Sequence, residues 1–293
     1  MAFVGNAGGT EAVFEALAHV GARLEAGRVD VRPHVHVVAV RRILPQLGGI
    51  GPRERADGLR GHAVLHAAPS GVRHRESARR RHGDHGDAVG EAQQRRNLRH
   101  VHEQAVGPLE RAGARLVFVR SLGDEALPSD VDGLYVGGGF PEMFAAQLQA
   151  NEGFRRSVRR FAAQGFPVYA ECGGLMYLAR RLVCAQGAYD MAGVLDLDVA
   201  MEERRQGHGY AVIVAGEDHP WLPAGTELKG HEHHHSHVVN CGAQVRFAFG
   251  NVRGHGIADR RDGACCGNVV AGYTHVNALA SPAWAPGFVA AAR

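Results

Sequence analysis

Three groups of residues in this 293-residue chain have the types and spacing of a thiol-based acyl-transfer site. The first is Cys172, in Phe166-Pro-Val-Tyr-Ala-Glu-Cys-Gly-Gly-Leu-Met-Tyr-Leu-Ala-Arg180. A β-type run, Phe166 to Ala170, stops at Glu-Cys-Gly-Gly, and a helix-type run starts at once. That pattern predicts the thiol version of a nucleophile elbow, a sharp strand-to-helix corner that holds the sulfur clear of the sheet. The helix N-terminus behind such a cysteine favours the thiolate, its reactive form, and small residues suit a backbone that turns so tightly. The second group is Gly137-Gly-Gly139, which follows a buried-type strand at the carboxyl edge where α/β sheets bind ligands. Acyl transfer needs hydrogen-bond donors where the carbonyl oxygen becomes negative. The N–H of Gly173, with one from Gly138 or Gly139, is the expected pair for that oxyanion and for the bound substrate. The third is His275, in Val269-Val-Ala-Gly-Tyr-Thr-His-Val-Asn-Ala278, just past a strand. A thiol nucleophile needs a base, and Asn277, two residues on, is the expected group to orient the imidazole. Plain alternatives stand beside these readings: a buried structural cysteine next to turn glycines, and an ordinary loop histidine in a chain with 19 of them.

A histidine tract, Lys229-Gly-His-Glu-His-His-His-Ser-His237, invites a metal reading. In a strand, His231, His233, His235 and His237 share one face, and Glu232, His234 and Ser236 the other. Histidine is the commonest metal ligand. Yet no second ligand cluster of fixed spacing accompanies the tract, and Cys265 and Cys266 are adjacent. No specific metal site is assigned; adventitious nickel or zinc affinity is the simpler expectation.

The elements that must position these residues lie in the second part of the chain. Leu109–Ala114 closes a helix, Arg115–Val119 is a strand, and Gly133–Val136 is another. A helix follows Glu142, and Asn151 reads as the N-cap of the next one. That helix turns Phe154, Val158 and Phe161 inward, while Arg155, Arg156, Arg159 and Arg160 face water. Strands alternating with helices predict an α/β fold, a parallel sheet flanked by helices on both faces. From about Ala188 the chain reads as more β-rich, with strands at Tyr210–Val214, Val238–Asn240, Val245–Phe249 and Val269–Tyr273. The first part differs. Residues 28 to 107 hold no Phe, Tyr, Trp, Met or Cys and are dominated by arginine and histidine. Such a stretch cannot bury enough apolar surface to offset the entropy of ordering. The expected division is therefore 1–107, irregular or a degenerate (frameshifted) translation, and 108–293, a folded domain. Two elements stand out before residue 108, a short helix at Ala12 to Ala26 and a short strand at Val35–Val40.

Composition removes several function classes. No run of 18 apolar residues implies a membrane span, and the start of the chain lacks the features of a signal peptide. Five cysteines without framework spacing fit a reducing cytoplasm. A net charge of +3, without aromatics interleaved among the basic residues, does not call for nucleic acid. The single lysine, Lys229, is followed by Gly230 and lies in no Gly-x-x-x-x-Gly-Lys-Ser/Thr pattern, so the chain contains no P-loop and no cofactor is expected to bind it.

Taken together, Asp132-Gly-Leu-Tyr-Val-Gly-Gly-Gly-Phe-Pro-Glu142, Pro167-Val-Tyr-Ala-Glu-Cys-Gly-Gly-Leu-Met-Tyr177, Lys229-Gly-His-Glu232 with His234 and Ser236, and Tyr273-Thr-His275 resemble the C-terminal half of the cobyrinic acid a,c-diamide synthase family. Gly254-His-Gly-Ile257, Asp262-Gly263 and Ala280-Ser-Pro-Ala-Trp284 are similar to its branch acting on sirohydrochlorin or sirohaem-type tetrapyrroles. The resemblance implies a class I glutamine amidotransferase-like domain, in which a cysteine attacks the glutamine side-chain amide and ammonia is released. By position Cys172 is the nucleophile and His275 the histidine that raises its nucleophilicity. His231, Glu232, His234 and Ser236 become candidate substrate-side residues. In the complete family enzyme a P-loop domain uses ATP and Mg2+ to activate the a and c acetate carboxylates of the tetrapyrrole, so the implied partners are glutamine, a tetrapyrrole carboxylate and a separate P-loop protein. The chain departs from the family at His233 and His235, usually aromatic, at Asn277, often histidine, and in the missing P-loop. These departures imply a truncated or decayed synthase, with a non-catalytic partner of the same fold or a histidine-rich metal-handling protein as the competing readings.

Overall fold

The computed structural model describes residues 36–42 and 105–292. The expected helix at Ala12 to Ala26 and most of the Arg/His-rich stretch lie outside the described residues. The expected strand at Val35–Val40 is β1 (His36–Arg42). Then come α1 (Gly107–Arg111), β2 (Ala114–Arg120) and β3 (Gly133–Val136). A 3-10 turn at Pro141–Phe144 leads into α2 (Ala145–Ala150) and α3 (Glu152–Ala163). The elbow follows as β4 (Val168–Glu171) and α4 (Gly173–Leu178). The rest is largely strand: β5 (Arg181–Cys184), β6 (Gly187–Asp190), β7 (Leu197–Met201), β8 (Gly207–Ala215) and β9 (Glu227–His234). It continues through β10 (Ser236–Cys241), β11 (Arg246–Arg253), β12 (Arg261–Cys266), β13 (Val269–Gly272) and β14 (His275–Val276), and closes with α5 (Trp284–Ala291).

Among the described residues, ten strands form one sheet in the order β14-β9-β8-β11-β12-β13-β4-β3-β1-β2, and β10-β7-β5-β6 form a second. The sheet is parallel only at its centre, where β4 lies between β3 and β13. All other pairings in the large sheet are antiparallel. A parallel neighbour needs a long crossover; α2 and α3 provide one between β3 and β4, whereas the later strands follow one another by short turns. β1 inserts between β2 and β3, antiparallel to both. A strand from the segment before residue 108 therefore lies in the same sheet.

Helices cover both faces. Along β3 and β4, Leu134, Val136, Val168 and Ala170 pack into a core with Phe154, Val158, Leu175 and Leu178 from α3 and α4. Tyr135 and Tyr169 point the other way, into a core with Leu109 of α1 and Trp284 and Phe288 of α5. Every residue of β3 and β4 is buried, as two covered faces require. Asn151 caps α3 as expected: its side-chain oxygen accepts from Phe154 N at 3.3 Å, and its amide donates to Ser121 O and Asp124 O. Two of the four arginines on α3 are not simply solvated. Arg155 donates to the carbonyls of Gln149 and Met191, and Arg159 to that of Ala192, so both tie the helix to neighbouring segments.

Candidate functional site

At the tip of the elbow, Cys172 has φ 49° and ψ −101°, a conformation that side-chain-bearing residues rarely adopt. The corner is held by the Cys172 N–H on Gly272 O at 2.7 Å and by Met176 N on Cys172 O at 3.1 Å. The two glycines after it are required by close approach, since neither has positive φ. A Cβ on Gly173 would lie 2.6 Å from Gly139 O, and one on Gly174 would overlap the carbonyl of Val136. A Cβ on Gly138 would lie 2.6 Å from His275 Cε1. The triple-glycine loop thus runs between the start of α4 and the imidazole. Gly138, Gly139, Gly173, Cys172 and His275, widely separated in sequence, meet at one place.

His275 opens β14, a strand of only two residues, so regular pairing alone does little to fix it. Polar straps do the rest. Asp262, fully buried, accepts from Tyr273 N at 2.9 Å, Thr274 N at 3.0 Å and the Thr274 hydroxyl at 2.7 Å. Glu171, the residue before the cysteine, accepts from Val276 N at 3.0 Å and the Tyr135 hydroxyl at 3.0 Å, and its Oε2 lies 3.6 Å from His275 Nδ1. Burial, then Glu171, holds the Tyr135 hydroxyl well above its ordinary pKa, so it stays a donor. For His275, burial favours the neutral ring, but the neighbouring Cys172 sulfur and the Glu171 carboxylate outweigh it and push the imidazole up to about 10. The arrangement favours the charged imidazole, with the Cys172 sulfur on one side and the Glu171 carboxylate on the other.

The carboxylate beside the His275 ring belongs to Glu171. The Asn277 side-chain oxygen accepts from Leu279 N at 3.1 Å and Ala280 N at 3.2 Å, capping its own turn. Glu171 was legible in one respect: it is a charge interrupting a buried-type run directly before the cysteine.

The candidate substrate-side residues separate into two sets. The Lys229–His237 tract is two strands rather than one, with a break at His235, yet the alternation survives. Glu232, His234 and Ser236 are buried. Glu232 accepts from His255 N at 2.9 Å and Gly256 N at 3.0 Å. His234 lies flat on Tyr273, with ring centroids 3.7 Å apart, and burial lowers its imidazole to about 4. Ser236 donates to the Tyr273 hydroxyl at 3.2 Å. All three brace the loops around His275 from within. His231 does face the site: it sits opposite His275 in register and stacks on it at 5.0 Å. The Cys172 thiol donates to the carbonyl of His233 at 3.8 Å, and burial, reinforced by Arg205 and nearby histidines, lowers the His233 ring to about 4. Among the described residues no group of three potential metal ligands is assembled.

Residues 98–283 match the family model for the CobB/CobQ-like glutamine amidotransferase domain. The cobyrinate a,c-diamide synthase of Magnetococcus marinus is 42% identical over 178 residues, 61% of this chain and 38% of that protein. The protein of the same name from Archaeoglobus fulgidus is 45% identical over 60% of this chain and 38% of its own. The hydrogenobyrinate a,c-diamide synthase of Streptomyces coelicolor is 42% identical over 62% of this chain and 35% of its own. The match therefore spans well under half the length of these relatives. Among solved structures, a glutamine amidotransferase aligns with TM-score 0.41 and 18% identity over 56% of this chain and 80% of that one. The PurLQS structure from Thermotoga maritima aligns with TM-score 0.46 and 17% identity over 60% of this chain and 81% of that one.

Proposed function

The chain belongs to the CobB/CobQ-like glutamine amidotransferase domain family, and we propose that it hydrolyses glutamine to supply ammonia for the amidation of tetrapyrrole carboxylates. One observation supports this most: a cysteine on a strained elbow, an imidazole pushed up to about 10 by that cysteine and by a buried carboxylate, and a glycine loop against both. Cys172 Sγ is the nucleophile that attacks the glutamine side-chain carbonyl carbon. The carbonyl oxygen takes up the negative charge, and the N–H groups of Gly173 and of Gly138 or Gly139 receive it. His275 gives its proton to the amide nitrogen as the C–N bond breaks, releasing ammonia and leaving a γ-glutamyl thioester. The now neutral imidazole takes a proton from water, which attacks the thioester and frees glutamate. Glu171 holds the ring through Nδ1 and stabilises its charged form.

The names of the relatives suggest the substrate class, and the family resemblance the activating partner. Ammonia made here is passed to an ATP- and Mg2+-dependent P-loop partner that activates the a and c acetate carboxylates of cobyrinate, hydrogenobyrinate or a similar tetrapyrrole. Nothing in the chain's own sequence provides that activation, since Lys229 lies outside any phosphate-binding loop. No helix among the described residues is long and apolar enough to cross a membrane, in keeping with a cytoplasmic setting. The test is labelling with 6-diazo-5-oxo-L-norleucine, followed by peptide mass spectrometry. A single adduct on Cys172 is expected. An adduct elsewhere, or none, overturns the glutaminase reading and leaves a non-catalytic module of this fold.

A further inference from the structure

On the face of β9 that also bears His231, and on β8 beside it, lies a feature that glutamine hydrolysis does not use. His208 and His233 are direct cross-strand partners, and their Nδ1 atoms are 3.1 Å apart with the rings nearly perpendicular, at 82°. We propose that this pair is a two-histidine chelate for a divalent transition-metal ion, and that its occupancy shields Cys172.

Two Nδ1 atoms at this distance cannot both carry a proton, so at least one lone pair already points into the gap. A metal–nitrogen bond of about 2.0–2.1 Å in tetrahedral geometry sets two ligand nitrogens roughly 3.3 Å apart. The observed separation is close to that, and each ring must tilt so that both lone pairs converge on the ion. Zinc, nickel, cobalt and copper ions suit imidazole. The entering ion takes both Nδ1 lone pairs, and the proton of the hydrogen bond moves to Nε2 of its own ring, so both ligands are neutral imidazoles. His208 is exposed, which gives the ion a path in from solvent. With only two protein ligands, water completes the coordination, so the ion exchanges readily and does not act as a structural staple. Arg205, whose charge bears on His233, works against the cation and weakens it further.

The consequence for the thiol comes from His233 itself, because the residue that supplies one ligand also offers its backbone carbonyl to Cys172 Sγ at 3.8 Å. A hydrated dication on the His233 ring crowds the approach to the sulfur and, by its charge, works against the protonated form of the neighbouring His275. This second half concerns the same thiol as the proposed glutaminase site, but it needs only that the sulfur be reactive.

The experiment uses the untagged full chain, with Zn2+ as the probe. Equilibrium dialysis against a chromophoric zinc indicator compares wild type with His208→Gln and His233→Gln, and with His237→Gln as a control on the next strand. The first two are expected to weaken the tightest zinc equivalent by at least roughly tenfold, the smallest loss typical of disturbing a metal site, and the control to leave it unchanged. Zinc is also expected to slow iodoacetamide alkylation of Cys172 in wild type but not in His208→Gln. Equal zinc binding by all four chains places the metal on other histidines and overturns the chelate. Unchanged alkylation in zinc-loaded wild type overturns the shielding. Because iodoacetamide does not need to be recognised as glutamine, a chain that resists the diazo-ketone analogue yet shows zinc-protected alkylation sinks the glutaminase reading and keeps this one.

Discussion

The parallel centre of the sheet and its antiparallel wing each supply one half of the candidate pair, and they hold it by different means. β3, β4 and β13 deliver Cys172 and the glycine loop through packing: their residues are buried, and the elbow sits where backbones touch. The wing, β14, β9, β8, β11 and β12, exposes polar groups on one side and ends in a two-residue strand bearing His275. There the positioning comes from buried carboxylates that gather backbone N–H groups, Asp262 on β12 and Glu171 reaching across from the end of β4. A nucleophile needs a fixed corner, which close-packed backbone gives. A proton-transferring ring needs a defined orientation and charge, which hydrogen bonds to an anion give.

The difference can be broken hardest at the centre. Gly174→Ala forces a Cβ into the Val136 carbonyl, a backbone atom that cannot swing aside. Overpacking of this kind costs about 1–3 kcal/mol, and here the displaced backbone is the elbow itself. Thermal unfolding is expected to show that loss, and thiol-specific labelling of Cys172 to fall to background. A variant as stable and as reactive as wild type would mean that packing does not hold the corner.

The wing's half yields next, and more selectively. Glu171→Gln keeps the shape and removes the charge beside His275. Positioned acid–base groups contribute roughly 10²–10⁴-fold in rate, and a loss of turnover on that scale is expected with the labelling of Cys172 retained. The imidazole must also titrate lower, because an anion that stabilised its charged form is gone. Cys172→Ala should lower it further, since the cysteine is the larger of the two upward influences. NMR titration of His275 in the three chains reads that order directly. A Glu171→Gln ring that titrates as in wild type would remove the carboxylate from the mechanism.

The same contrast explains what the sequence disclosed. The centre was legible because its strands are continuous apolar runs that end in glycine, and because a cysteine between two such signals has few structural explanations. Family resemblance carried the pairing of Cys172 with His275, which local pattern alone left open. The wing was less legible. β9 and β12 carry polar residues on buried faces, as Glu232 and Asp262 show, so apolar periodicity fails there. β1 escaped the domain boundary because the residues around it lack the large apolar side chains that mark a core, even though Val37–Val40 are buried in the sheet. Glu171 was overlooked because its partners, Tyr135 and Val276, are 36 and 105 residues away. Asn277 was the expected orienting group because it lies two residues from His275 in sequence.

That expectation gives the smallest and sharpest prediction. Asn277 accepts two backbone N–H groups in its own turn, from Leu279 and Ala280. Asn277→Ala removes an Asx-type cap, worth about 1 kcal/mol. If the side chain only shapes that turn, thermal stability drops by this amount while the His275 titration and the rate per folded molecule stay at wild-type values. If it orients the ring, the ring must titrate differently and turnover must fall beyond the loss of folded protein. The comparison with Glu171→Gln in the same assay then separates two residues of opposite placement: one far in sequence and in contact with the imidazole, the other two positions away and occupied elsewhere.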